Sequence, residues 1–205
     1  MNELKFIHIT KTGGTSIENL GRKFNINWGR FDLDVTENYA TLKNIPFWHK
    51  PLYLFSKYPY LNNDVFLIVR NPYERIISEF HCNYFGYNGC KCRKVKINNK
   101  EEFNNFIREK ILTESLIKTS NGHWLPQHIY LRNLKNKVNI LKYENLKEDF
   151  ENLMLKYKLD LVLNLHDNKS KKKFNINDLD IITISMINKI YHKDFVVFNY
   201  PKITF

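Results

Sequence analysis

The sequence predicts an α/β fold in a single domain over residues 1–205, with a central parallel sheet flanked by helices. Three observations lead there. Short apolar runs suited to buried strands alternate with segments of helical periodicity. Two of those runs lead directly into residues suited to holding an anion at a strand-to-helix junction. The 205 residues, 43% hydrophobic and 15% aromatic, suffice for one sizeable core and are short for two. No internal repeat is present.

The first strand is Leu4 to Ile9, and Ile17, Leu20 and Phe24 then recur at helical spacing, which predicts a helix over Thr15 to Phe24. The loop between them, Lys11-Thr12-Gly13-Gly14-Thr15-Ser16, therefore lies at a helix N-terminus, where unpaired N–H groups and the helix dipole favour an anion. Gly13 and Gly14 let the main chain approach a phosphate, Thr15 and Ser16 offer hydroxyls, and Lys11 adds a mobile charge. The pattern differs from the P-loop of ATP and GTP enzymes, whose lysine follows the second glycine. Read alone, it also suits an ordinary turn with surface Lys and Ser.

The second strand is Val65 to Val69, a β-branched run ending at Arg70, with Asn71 suited to an N-cap and Pro72 to the first helical position. A helix follows over Pro72 to Phe85, in which Arg75 and Ser78 share a face. Arg70 at a strand's carboxyl end is placed to grip a second phosphate with its guanidinium fork, with Ser78 donating to the same group. The plain alternative is an Arg that caps a strand and a Ser that faces solvent. Further along, helices are predicted over Glu101 to Leu112, Asn145 to Tyr157 and Asn177 to Tyr191, and a third strand over Val138 to Tyr143.

With both segments in this order, the chain resembles the sulfotransferases that use 3′-phosphoadenosine-5′-phosphosulfate (PAPS), and is most similar to their carbohydrate branch. Lys11 to Ser16 and Arg70-Asn71-Pro72-Tyr73-Glu74-Arg75 with Ser78 match the family's two signature regions. The resemblance implies a PAPS-binding, P-loop-like sulfotransferase fold. It also implies that Lys11, Thr12, Gly13, Gly14, Thr15 and Ser16 hold the 5′-phosphosulfate, and that Arg70 and Ser78 hold the 3′-phosphate. Weaker points are His49, Trp124, Gln127, Tyr143-Glu144-Asn145-Leu146 with Asp149-Phe150, and Tyr191 with Asp194-Phe195 and Phe198. Lys142 departs from the pattern, which has Arg before the Tyr-Glu pair.

The implied chemistry is in-line transfer of a sulfuryl group to an acceptor hydroxyl or amine, expected to be on a carbohydrate, leaving 3′,5′-adenosine diphosphate (PAP). Such a reaction needs alignment, charge stabilisation on the leaving group and a base, and it needs no metal. Lys11 suits the stabilising role. His49, in Pro46-Phe47-Trp48-His49-Lys50-Pro51 between the two motifs, is the first choice of base, because related sulfotransferases carry a catalytic His or Glu there. His123 and His128, flanking Trp124-Leu125-Pro126-Gln127, compete for the role. His8, inside the first strand, reads as core. Trp48 and Trp124 suit either stacking on a sugar face or packing.

The formal charge of +11 suits a highly anionic cofactor and an acidic acceptor, and it would attract nucleic acid as well. Two other classes fit parts of the sequence. A nucleotide or small-molecule kinase needs phosphate loops, but no Walker lysine or Asp-Phe-Gly is present. A polyanion-binding module needs only charge and aromatics, and leaves the ordered pair of motifs unexplained. Cys82, Cys90 and Cys92 are too few for a disulfide framework, and with His81 they offer a zinc set of non-standard spacing. A reduced, Lys-rich surface insertion over 86–100 is the preferred reading. The stretch Lys169 to Lys173 reads as a mobile loop able to reach the 3′-phosphate. With no signal-peptide pattern and no run of roughly 18 apolar residues, a soluble, cytoplasmic protein is expected.

Overall fold

Strand β2 (Asp64–Val69) is buried along its whole length and forms the middle of a three-stranded parallel sheet of order β1-β2-β3. Its run Val65-Phe66-Leu67-Ile68-Val69 is apolar at every position, as expected of a strand covered on both faces. In the computed structural model, which describes residues 3–32, 45–55, 57–82, 97–118, 120–163 and 173–205, its partners are β1 (Leu4–Ile7) and β3 (Val138–Lys142). The register pairs Ile7 with Leu67 and Val69 with Lys142. The α/β class with a parallel sheet flanked by helices is as predicted.

The chain divides into two compact units, Met1–Arg70 with Ile129–Lys169, and Asn71–His128 with Ser170–Phe205. The first holds the sheet, helix α1 (Gly14–Lys23) and helix α4 (Leu146–Tyr157). Its core joins Phe6, Ile17, Trp28, Phe66 and Ile68 to Leu146, Phe150, Leu153 and Met154. Trp28 is fully buried against Phe66 and donates its indole N–H to the Leu4 carbonyl at 2.8 Å. Beyond Lys142, the Asp149 carboxylate accepts the Lys142 N–H at 2.7 Å and ties the end of β3 to α4.

The second unit is helical: α2 (Pro72–Phe80), α3 (Lys100–Glu114), α5 (Ile181–Ile190) and α6 (His192–Val197). Its core is rich in aromatics, with Phe103 stacked on Phe174 at 4.5 Å and Phe80 set edge-on to both Phe103 and Phe106. Side-chain caps set the helix starts. Asn71 caps α2, Asn99 caps α3 and Asp180 caps α5.

Several boundaries differ from expectation for local reasons. The β1 ladder ends at Ile7, and His8 and Ile9 continue, still buried, into the loop. The helix expected from Asn177 begins instead at Ile181. Asn175 closes a capping box around the short turn Ile176–Asp178, and Asp180 starts a new helix. Helix α2 ends at Phe80, with His81 as its C-cap. Most of the expected insertion at 86–100, with Cys90 and Cys92, lies outside the described residues, as do positions 169–172.

Replacing Phe66 by Ala, which removes a fully buried ring from the sheet core, is expected to cost about 3–5 kcal/mol in chemical denaturation. Ile140→Thr, on a β3 residue 44% exposed, should stay within about 0.5 kcal/mol of wild type.

Candidate active site

The loop after β1 is shaped by its own backbone. Lys11 has a left-handed φ of 59° and Gly13 one of 91°, and the Thr12 hydroxyl donates to the Ile9 carbonyl at 2.8 Å. A left-handed lysine is uncommon and marks a backbone held by its surroundings. Gly13 is the N-cap of α1 but supplies no side-chain cap, and the first turn carries no acidic residue. Thr15 and Ser16 are half-buried at this helix start, whereas Thr12 is fully buried and bound within the loop. Helices α2, α3 and α5 each have a side-chain cap, and α4 has Glu148 and Asp149 in its first turn. Among the described helices of eight residues or more, α1 alone presents a first turn with neither device, which favours an external anion.

Arg70 follows β2 and is held by this same loop. Its guanidinium donates to the Lys11 carbonyl at 3.3 Å and lies 4.2 Å above the Tyr143 ring. Tyr143 in turn packs on Gly13, where an added Cβ would sit 3.2 Å from the ring. The structure thus brings together the Gly-rich loop, Arg70 and the first residue of Tyr143-Glu144-Asn145-Leu146.

His49 ends the short helical turn Phe47–His49, which Tyr130 fastens by donating its hydroxyl to the His49 carbonyl at 2.8 Å. The His49 ring is partly exposed and stands edge-on to His8, with centroids 4.6 Å apart. His8 is buried, as expected, but it is no inert core residue. Its Nδ1 lies 2.8 Å from Glu18 Oε1, and its ring occupies the space over Gly14, where a Cβ would fall 2.3 Å from the ring carbon.

Other predicted site residues lie in the second unit. Ser78 is buried on α2. Arg75 is a fully buried tether, donating to the carbonyls of His123 at 2.7 Å and Leu125 at 2.9 Å. His123 is pinned by Glu79 at 2.8 Å. Burial disfavours its charged form, but the Glu79 carboxylate and the neighbouring Cys82 outweigh that and raise its pKa to about 9. His128 bonds Asp194 at 2.6 Å, and Asp194 also accepts the N–H groups of Gln127 and His128. Both competing bases therefore hold structural partners. Trp124 is fully buried in the aromatic core, which removes it as a sugar-stacking surface.

His81 is no free zinc ligand, since its Nδ1 lies 2.8 Å from the Ile77 carbonyl and its Nε2 accepts the Lys173 N–H at 3.0 Å. Cys82 instead lies with Glu79 and His123 in a buried cluster. The Lys173 ammonium donates to the Ile97 carbonyl and the Asn98 side chain, both at 2.9 Å.

Glu18 is the residue that sequence reasoning passed over. Gly14, Ile17, Glu18 and Gly21 form the buried stripe of α1, so a carboxylate stands where the helical period calls for an apolar side chain. That misplaced charge, ten residues after a histidine at a strand end, was the available signal.

Gly14→Ala is expected to lower stability by roughly 1–3 kcal/mol in thermal denaturation, because the His8 ring it meets is held by Glu18 and cannot swing aside. A second expectation concerns pH. The raised pKa of His123 means that its bond to Glu79 stabilises fully below pH 6.5 and fades as pH rises towards 9. The gap in melting temperature between wild type and Glu79→Gln should therefore be wide at pH 6 and narrow by pH 9.5.

No described helix is long and apolar enough to cross a membrane. No curated protein matches the chain significantly. The sequence model of the Sulfotransferase family matches residues 2–201, which span the Gly-rich loop, Arg70 and both units. Such enzymes are PAPS-dependent transferases. With nearly its whole length matched and its two anion-suited segments held in contact, the chain belongs to the sulfotransferase family.

Proposed function

We propose that the chain transfers a sulfuryl group from PAPS to a hydroxyl, or an amine, of a carbohydrate acceptor, with residues 1–205 acting as one sulfotransferase domain. The observation that carries this reading is the bond from Arg70 to the Lys11 carbonyl, which joins the two phosphate-suited segments through a single cation. The family match across both units supports the one-domain reading.

The residues present fit the cofactor. The open first turn of α1, with Gly13, Gly14, Thr15 and Ser16, suits the 5′-phosphosulfate, and the Thr12 hydroxyl shapes the loop. Arg70 suits the 3′-phosphate, and the family resemblance adds Ser78 to it. When bound, PAPS supplies the sulfuryl group. Lys11 stabilises negative charge on the leaving phosphate, and His49 takes the acceptor proton. The acceptor proton moves to an imidazole that Tyr130 anchors through the backbone and His8 meets edge-on. Lys11, Arg70 and the α1 N-terminus provide the positive charge, so this reading calls for no metal. The basic surface would favour an anionic glycan.

Calorimetric titration without metal should show PAP binding to wild type, much weaker AMP binding, and an affinity loss of roughly 10- to 100-fold in Arg70→Ala. His49→Ala should bind PAP nearly as wild type does, and lose roughly 10²- to 10⁴-fold in turnover of PAPS with acceptors found by screening desulfated glycans. Preference for magnesium ATP would point to a kinase. Absence of any nucleotide binding would point to a polyanion-binding module.

A further inference from the structure

We propose that Glu18 and His8 act together as positioning residues, one buried pair that sets both the phosphate loop and the base. The inference rests on the assignment of His49 and of the Gly-rich loop given above.

Glu18 is 1% exposed, and burying a carboxylate is unfavourable unless donors surround it. Three do. His8 Nδ1 lies at 2.8 Å, the Arg30 N–H donates at 3.0 Å, and the Arg30 Nε forms an ion pair at 3.2 Å. The backbone makes room for it as well, because Gly29 has a left-handed φ of 59° and an added Cβ there would fall 2.3 Å from Glu18 Oε1. Packing alone would be met at lower electrostatic cost by an apolar side chain.

An ionised carboxylate only accepts hydrogen bonds, so His8 Nδ1 carries the proton and the ring orientation is fixed. The rest of that ring faces two functional neighbours. A Cβ on Gly14 would lie 2.4 Å from His8 Nε2, which places the imidazole directly on the first turn of α1. The His49 ring meets it edge-on at 4.6 Å. One imidazole, oriented by Glu18, thus touches both the helix start that receives the phosphosulfate and the proposed base. A carboxylate behind a histidine commonly sets tautomer and orientation in this way.

The test uses the full chain labelled with ¹⁵N-histidine, as wild type, Glu18→Gln and His8→Asn. Metal-free PAP titration by calorimetry is paired with side-chain ¹H–¹⁵N spectra of His8 and His49. In wild type, PAP should move the resonances of both rings, and His8 should show the Nδ1–H form. Each variant should lose roughly 10-fold in PAP affinity and displace or broaden the His49 signals, and the double variant should be no worse than the poorer single one.

Folded variants with PAP affinity within about 2-fold of wild type and unmoved His49 signals would make the pair ordinary packing and overturn the proposal. Should the variants fail to fold, wild-type His8 signals that stay still on PAP addition would overturn it equally. A wild type that binds no PAP would instead remove the functional reading. The effect of Glu18→Gln on His49 would still decide whether the pair orients that ring.

Discussion

Parallel pairing on both edges of β2 is the constraint from which the site follows. Because Val69 is level with Lys142 and Ile7 with Leu67, β2 and β3 end side by side, and β1 ends two residues short of them in the same direction. The residues immediately beyond the ladder, Arg70 and Tyr143, are brought next to each other by register alone, and their stacking at 4.2 Å is its direct result. The loop beyond β1 reaches the same end and contributes the Lys11 carbonyl. Open parallel sheets place ligands beyond the carboxyl ends of their strands because that is where loops and helix N-termini converge. Here three sequence segments remote from one another converge there through hydrogen-bonded pairing.

Within each unit, buried charged groups serve as fasteners. Arg75 carries a full positive charge into the core of the helical unit, where two carbonyls and the nearby Glu79 carboxylate offset its desolvation. Glu79 also holds His123, and Asp194 gathers the backbone of Gln127 and His128. These groups fix the geometry of the segment from 123 to 128, which has no regular ladder to hold it before its helical turn. In the sheet unit, Glu18 plays the corresponding part for His8 and Arg30.

Much of this was legible in the sequence where one local rule sufficed. The apolar β2 run, the Asn71-Pro72 helix start and the glycine pair each announced their structure through periodicity, capping or backbone freedom. Other features were legible only by resemblance, as with Tyr143, whose value lies in a register that no local pattern encodes. His123 and His128 stayed in competition with His49, the first choice, because carboxylate partners 44 and 66 residues away are invisible to spacing arguments. The predicted long helix from Asn177 failed because two caps in quick succession, Asn175 and Asp180, outweigh a continuous helical period. Glu18 was overlooked because acidic residues in helices usually face water, and only the burial of its neighbours Ile17 and Gly21 reveals the exception.

The placement of β3 also bears on how the protein is made. Val65 pairs with Val138, so the central strand waits for about 70 further residues before its second edge is covered. At typical rates of synthesis that interval lasts seconds, during which an apolar strand has one edge unpaired. The intervening residues Asn71–His128 belong to the helical unit, whose remaining portion, Ser170–Phe205, emerges later still. The sheet unit therefore closes only after residues of the helical unit have been made, and the nascent β2 edge stays open to wrong pairing in that interval.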